Sequence, residues 1–227
     1  MSTNRAAWHR RAGLIPLAYL AAIVPASFGH AFLPHGPWLL KHLLFLGAVT
    51  NAIVVWGTHF TSAILHSPPP ATRQAETIRL VVLNAGVVGV IAGGSSAPWL
   101  DQHSSGAWLG ITGGAWLGLA GAAAVFAAVA AHLAALARQL RRALPARFSI
   151  TVRYYLAAGI ALLAGIPAGA WMLTVDDGSR PRLLLFHAHA NLLGFVTLTV
   201  LGTLLTLWPT VLRTRMVDGA NRAATAV

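Results

Sequence analysis

Six long apolar stretches dominate this sequence. A hydrocarbon core about 30 Å thick needs about 20 apolar residues per helix, and six stretches reach that length, at residues 14–33, 38–65, 78–99, 107–137, 150–175 and 183–212. Only 9% of the residues are charged and the mean hydropathy is +0.67, whereas soluble domains carry about 25% charged residues. The sequence therefore predicts an all-α bundle of about six transmembrane helices, a single domain over residues 1–227 with a tail at 213–227.

The positive charges lie mostly in alternate segments between these stretches. The N-terminus, the second and fourth loops and the tail carry Arg5, Arg10, Arg11, Arg73, Arg79, Arg138, Arg141, Arg142, Arg147, Arg153, Arg213, Arg215 and Arg222. The other three loops carry only Lys41, Arg180 and Arg182. Since Lys and Arg favour the cytoplasmic side, we expect both termini to be cytoplasmic.

The net charge of +11 would indicate nucleic-acid binding in a soluble chain. Here the charges flank apolar stretches, so topology is the preferred explanation. A patch for lipid headgroups or nucleic acid at residues 138–147 is the alternative. The lipid bilayer is the expected partner, and no nucleic-acid partner is expected.

The second and sixth stretches share a pattern. His, Gly, Val and Thr recur at the same steps in residues 42–50 (HLLFLGAVT) and residues 189–197 (HANLLGFVT). The stretch before each contains a proline followed by alanine, at Pro25 and Pro167. The pattern predicts helical hairpins repeated three times, and chance similarity among common membrane residues is the alternative. Repeated helices often surround a membrane site.

Small and aromatic residues fit a packed bundle. The fourth stretch carries Gly110, Gly113, Gly114, Gly118 and Gly121, which predicts the close approach of a neighbouring helix. An aromatic belt at the membrane surfaces is the predicted role of the tryptophans near stretch ends, Trp8, Trp38, Trp99, Trp108, Trp171 and Trp208.

The histidines are the candidate ligands. The chain has ten histidines and no cysteine, which excludes disulfides, thiolate sites and iron–sulfur clusters and leaves imidazole, a ligand for haem iron, copper and zinc. In the predicted topology His42 and His189 lie at equal depth, within about two turns of the non-cytoplasmic face, where they could form a bis-histidine haem site. His187 and His30 belong to the same layer. Ionisable or polar residues inside membranes are costly and usually functional.

The spacing of the histidines limits what they can hold. His187 and His189 are two residues apart, so on an α-helix they diverge by about 200° and serve two neighbouring sites rather than one ion. His59 and His66 are about 10 Å apart along one face and cannot chelate one ion. His59 and His132 are candidates for a second metal site near the cytoplasmic end, with interface hydrogen bonding as the alternative. Ordinary interfacial or solvated positions are expected for His9, His35 and His103.

Residues 186–194 (FHAHANLLG) resemble the His-x-His helix of haem–copper oxidase core subunits, in which the two histidines ligate two different haems near the outer face. The whole chain, including residues 42–47, 153–155 (RYY) and 207–212 (LWPTVL), resembles half of the twelve-helix haem–copper membrane proteins of the NnrS type. It is equally similar to the membrane region ahead of bacterial multicopper oxidase and nitrite reductase domains. The chain departs from these families in having no adjacent His-His pair and no cupredoxin domain.

The resemblance implies haem b, with copper as a further cofactor, in the inner (cytoplasmic) membrane of a bacterium. It implies that His42 and His189 are axial ligands and that His187 and His30 serve a second haem or copper. Six helices rather than twelve imply a homodimer or a partner membrane subunit, and redox chemistry implies an electron donor.

Three functions are open at this point. The first is a haem-binding, copper-binding or mixed membrane redox protein that transfers electrons or handles nitric oxide or oxygen, and that is an oxidoreductase if it turns a substrate over. The second is a histidine-lined transporter of metal ions or small solutes. None of the five carboxylates lies inside a predicted stretch, so the usual acidic proton relay of a transporter or proton pump is missing. The third is a structural membrane subunit.

Overall fold

The computed structural model describes residues 2–33, 35–67, 72–103, 113–144, 149–175 and 178–214. Within these residues the chain forms no strand and six long helices: α1 (Ser2–Gly29), α2 (Gly36–Ile64), α3 (Gln74–His103), α4 (Gly113–Arg142), α5 (Ser149–Trp171) and α6 (Arg180–Val211). Each contains a segment long and apolar enough to cross a membrane. The predicted all-α bundle of six transmembrane helices, and hence a multi-pass membrane protein, is confirmed.

The helices extend beyond the predicted stretches. α1 begins at Ser2 rather than at residue 14, and α4 continues through the arginine cluster to Arg142. The length of an apolar stretch is set by the thickness of the hydrocarbon core. The helix itself can extend beyond that stretch, because polar side chains outside the core are solvated. Arginines in the last turn of α4 also oppose the negative end of the helix dipole. The start of the predicted fourth stretch and most of the predicted tail lie outside the described residues.

The helices pack as three consecutive hairpins. α1 packs mainly against α2, α3 against α4, and α5 against α6. Contacts between α4 and α5 join the second and third hairpins, and α2 contacts α3, α4 and α5. The hairpin order predicted from the repeat is therefore present. Since α2 and α6 both begin at the end of the bundle where α1 finishes, the early residues of α2 and α6 lie at that end, which we call the outer end.

Glycines bring α3 and α4 into backbone contact. A Cβ built on Gly121 would lie 2.7 Å from the carbonyl oxygen of Gly86, and a Cβ on Gly93 would lie 2.7 Å from that of Gly114. Real Cβ atoms essentially never approach so closely, so neither helix tolerates a side chain here. The close approach predicted from the glycines of α4 is confirmed, although Gly113 itself faces open space.

A polar cluster joins the first three helices near the middle of their spans. The hydroxyl of Tyr19 donates to Oδ1 of Asn84 at 2.9 Å, and the amides of Asn51 and Asn84 donate to each other at 3.1 and 2.8 Å. Asn51 is fully buried. Hydrogen bonds between membrane helices contribute about 0.6 kcal/mol on average, and this reciprocal set fixes how α1, α2 and α3 are rotated and shifted against one another.

The glycine contact between α3 and α4 makes a test of stability possible within one helix. Gly121→Ala should lower the free energy of unfolding by about 1–3 kcal/mol, because its Cβ would meet backbone atoms of α3. Gly113→Ala is the matched control, since nothing lies within 4 Å of its Cβ, and it should be neutral or stabilising by up to about 1 kcal/mol. Denaturant titration in detergent, followed by circular dichroism, measures both, and equal stabilities would contradict the close contact.

The orientation across the membrane stays a prediction, and the absence of cysteine makes it easy to test. Thr72→Cys places a thiol in the loop between α2 and α3, and Ser179→Cys places one in the loop between α5 and α6; both positions are exposed. An impermeant maleimide applied to intact cells should label only Ser179→Cys, and Thr72→Cys should react after permeabilisation. The reverse pattern would place the termini outside.

Candidate functional site

Both aligned histidines are followed at once by a π-helical segment. α2 changes from α- to π-helical geometry over Leu43–Val49, directly after His42, and α6 does so over Ala190–Thr197, directly after His189. The aligned threonines, Thr50 and Thr197, donate their hydroxyls to the carbonyl oxygen five residues earlier, at 2.8 and 2.9 Å. π-Helical segments are rare in proteins, and those that occur often lie at functional sites. Because they are rare, two of them at aligned positions favour a true repeat over chance similarity.

The aligned glycines of the two segments also make equivalent contacts. A Cβ on Gly47 would lie 2.5 Å from the ring of Tyr19, and a Cβ on Gly194 would lie 2.5 Å from the Cβ of Ala161. Tyr19 and Ala161 each stand six residues before the Pro-Ala pair of their helix. The hairpins α1–α2 and α5–α6 therefore have one architecture, which presents a histidine at the same place in each.

All four candidate cofactor ligands hold Nδ1 against a backbone carbonyl oxygen. These contacts are His42 to Trp38 at 2.9 Å, and His187 to Gly165, His189 to Leu185 and His30 to Ser27, each at 2.8 Å. A carbonyl oxygen only accepts, so Nδ1 carries the hydrogen and Nε2 keeps its lone pair. Metal-ligating histidines almost always have their other ring nitrogen fixed in this way. Nε2 is therefore the nitrogen through which each imidazole could ligate, and in His187 it also lies 3.2 Å from the side-chain nitrogen of Asn191.

Within one chain, the structure brings His42 together with His187. Their ring centroids lie 6.4 Å apart and their planes differ by 19°. Metal–nitrogen bonds of about 2.0–2.1 Å place two imidazoles on one ion with centroids roughly 5–6.5 Å apart. Both rings are half-buried, one on α2 and the other on α6. The ring separation thus lies within the range found for two imidazoles on one metal ion.

Aromatic stacking and glycines from neighbouring helices hold this pair in place. The ring of Trp38 stacks on that of His42 with centroids 4.0 Å apart, and Gly94 of α3 leaves room for the indole, which a Cβ there would overlap. A Cβ on Gly169 of α5 would lie 2.7 Å from Nδ1 of His187. Trp38 was predicted only as a belt residue, and its spacing of four residues from His42 was the available signal of contact.

Asn191 is the polar neighbour of His187. Its side-chain nitrogen lies 3.2 Å from Nε2 of the imidazole, while its Oδ1 is buried with no hydrogen-bond partner among the described residues. Gly165 permits this position, since a Cβ there would lie 2.5 Å from Oδ1. Asn191 therefore offers an unused acceptor beside the histidine pair.

The other two candidates of the outer layer lie at the surface. His189 is exposed on α6, and His30 is exposed just beyond the last residue of α1. The predicted divergence of His187 and His189 is seen, since one is half-buried against α5 and the other faces outward. The pairing predicted for His42 was with His189; the ring contact that the structure shows for it on α6 is with His187.

At the opposite end, the metal site predicted for His59 and His132 stays a prediction. The ring of His59 lies 5.0 Å from that of His9 on α1, a residue predicted to be merely interfacial. His132 is buried, and its Nδ1 has no hydrogen-bond partner in the described part of the chain. Among the described residues, no group of three or more His, Asp or Glu side chains is arranged to hold a metal ion. The side chain of His103 lies outside the described residues.

Comparison with known proteins gives no relative from which a function could be transferred. No protein-family model, no curated protein and no solved structure matches the chain. The resemblance to NnrS-type and haem–copper oxidase proteins stays a prediction, so a functional proposal has to rest on the geometry of the histidines.

The contact between α5 and His187 predicts that a single methyl group disrupts the site. Under the haem-binding function proposed below, Gly169→Ala should weaken the affinity for added haem about 10- to 100-fold, because the new Cβ displaces the imidazole from its carbonyl partner. Gly57→Ala on α2, where nothing lies within 4 Å of the Cβ, should leave that affinity unchanged. Absorbance titration of the purified apoprotein with haem measures both, and equal affinities would contradict a role for the glycine.

Proposed function

We propose that this protein is a haem-binding membrane redox protein whose His42 and His187 hold an iron near the outer end of the bundle. One observation supports this above all others: both imidazoles have Nδ1 fixed by a backbone carbonyl oxygen, and their rings stand 6.4 Å apart. Haem would supply an iron that changes oxidation state by one electron, at a potential set by its axial ligands and burial.

The surroundings of the pair fit haem better than a hydrated ion in transit. Trp38 covers one face of His42, and the neighbouring residues Leu43 and Gly47 are buried. The one described carboxylate in the six spans, that of Glu76, is ion-paired with Arg73 at the start of α3, at the opposite end of the bundle. A transport site would need polar groups that release its ion, whereas this pair is fixed by hydrogen bonds and stacking.

Each residue of the site has its own part in this proposal. Trp38 and the carbonyl oxygen of Gly165 fix the planes of the two imidazoles. The side-chain nitrogen of Asn191, 3.2 Å from Nε2 of His187, would move aside for the iron. Asn191 lies where its unused Oδ1 can accept a hydrogen bond from a molecule bound beside the iron. With His42 and His187 both holding the iron, the group would supply one-electron transfer, and handling of nitric oxide or oxygen would require one of the two imidazoles to leave it. A cytoplasmic membrane of a bacterium and a separate electron donor belong to the same proposal.

Copper is the alternative occupant of the same pair, because imidazole suits copper as well as haem iron. The two differ in what they predict for the purified protein. Haem gives intense visible bands together with iron, whereas copper gives metal without porphyrin. Counting both metals in one preparation therefore separates them.

The first test is the absorption spectrum of detergent-purified protein from haem-replete cells, oxidised and reduced with dithionite. We expect split α and β bands in the reduced protein, lost in His42→Ala and in His187→Ala. His66→Asn is the matched control, because His66 is exposed outside the spans with φ of 48°, a conformation that asparagine tolerates. Its spectrum should equal that of the wild type.

The possible outcomes separate the candidate functions. Copper without iron would reassign the pair to copper. Bands kept in His187→Ala but lost in His42→Ala would refute shared ligation and leave His42 as the single axial ligand. A colourless, metal-free preparation would overturn the redox proposal in favour of transport or a structural role.

A further inference from the structure

A buried imidazole lies at the end of the bundle opposite the outer end. His132 of α4 is only 6% exposed, and its Nδ1 forms no hydrogen bond with any described residue. A buried polar group that is left unpaired lowers stability, and nearly all such groups in proteins have a partner. The histidine pair proposed to hold haem lies at the other end of the bundle, so the burial of His132 needs a separate explanation.

The imidazole of His132 borders a small cavity between the first four helices. Besides aliphatic side chains of α2 and α3, the walls of this cavity contain Trp8, Thr58, Glu76 and Arg79. Its free space is about 180 Å³, including the part that opens to the outside, whereas one water molecule in the liquid takes about 30 Å³. The cavity can therefore take an occupant of a few atoms.

Arg79 brings an unpaired positive charge to this cavity. It is half-buried, and among the described residues its guanidinium forms neither an ion pair nor a hydrogen bond. The carboxylate of Glu76 acts on it from nearby but is ion-paired with Arg73. The other charged neighbour of Arg79 is Arg138 of α4, which is also positive. Three arginines thus share one carboxylate, and the cavity carries an excess of positive charge.

The two groups without partners both need a hydrogen-bond acceptor. A guanidinium only donates hydrogen bonds, and a neutral imidazole always carries one N–H. The hydroxyl of Thr58 and the indole nitrogen of Trp8 already donate elsewhere, to the carbonyl oxygen of Val54 at 2.9 Å and to Thr77 at 3.0 Å. Because the charge of Arg79 reaches the imidazole, it repels a cation at His132 and attracts an anion.

We infer that this cavity binds a small inorganic anion, such as chloride, between the guanidinium of Arg79 and an N–H of His132. The anion accepts hydrogen bonds from both groups and balances the charge that Glu76 leaves over. The aliphatic walls strengthen its attraction to the guanidinium, since charges interact more strongly where water is scarce. A bound anion would also join α3 to α4 at this end of the bundle. The site lies apart from the histidine pair and is independent of the proposed haem function.

The test follows thermal unfolding of the detergent-purified protein while chloride replaces the much larger anion gluconate at constant ionic strength. The unfolding midpoint of the wild type should rise with chloride and then saturate, because the anion binds only the folded state. Arg79→Gln should weaken the apparent affinity for chloride about 10-fold or more. Arg153→Gln is the matched control: it removes an exposed arginine from the start of α5 at the same end, and its affinity should equal that of the wild type.

His132→Leu tests the imidazole by itself. Leucine leaves no unpaired polar group, so without chloride this variant should unfold at the wild-type midpoint or above it, and its response to chloride should be weaker. A wild-type midpoint that does not depend on chloride, or equal affinities in Arg79→Gln and Arg153→Gln, would overturn the anion site. Stabilisation by added phosphatidylglycerol but not by chloride would also overturn it, and would assign Arg79 to a lipid headgroup.

Discussion

Lipid offers this chain no hydrogen-bonding partner, so a polar group within the six spans is costly unless the protein itself provides its partner. The amides of Asn51 and Asn84 bond to each other, and Thr58, Thr199 and Thr203 donate to carbonyl oxygens of their own helix. The outer histidines do the same through Nδ1. Because Nδ1 carries the hydrogen each time, Nε2 is the ring nitrogen that keeps the lone pair, and in His187 it lies 3.2 Å from the side-chain nitrogen of Asn191.

Glycine determines where those ligands can stand. At the α3–α4 contact, glycines lie on both helices, so the backbones meet without side chains between them. At the site, the glycines lie opposite large groups instead: Gly94 faces Trp38, and Gly169 faces His187. Glycine therefore lets two backbones approach in the α3–α4 hairpin, and it leaves room for a large side chain at the site. In both cases a methyl group is too large.

The sequence predicts the fold well because the length of an apolar stretch is set by the bilayer, which is the same for all six helices. It also predicts the hairpins, the close α3–α4 contact and the outer layer of histidines, since these follow from spacing within single helices. Which histidine of α6 faces His42 could not be predicted: it depends on the rotation of α6, and that is fixed by Gly165 and Gly169 on α5. Helix ends near charged residues and the contact of His9 with His59 were likewise out of reach, since they depend on packing between helices.

The two aligned histidines have different surroundings although their hairpins repeat the same pattern. Both hairpins provide a histidine with a fixed Nδ1, a π-helical segment and a glycine against the preceding helix. The residue four positions before His42 is Trp38, however, whereas the equivalent residue before His189 is Leu185, which only supplies the carbonyl oxygen. His42 is consequently covered by an aromatic ring and meets His187 inside the chain, while His189 has no equivalent cover and stays at the surface. The two repeats thus place one of their aligned histidines inside the chain and the other at its surface.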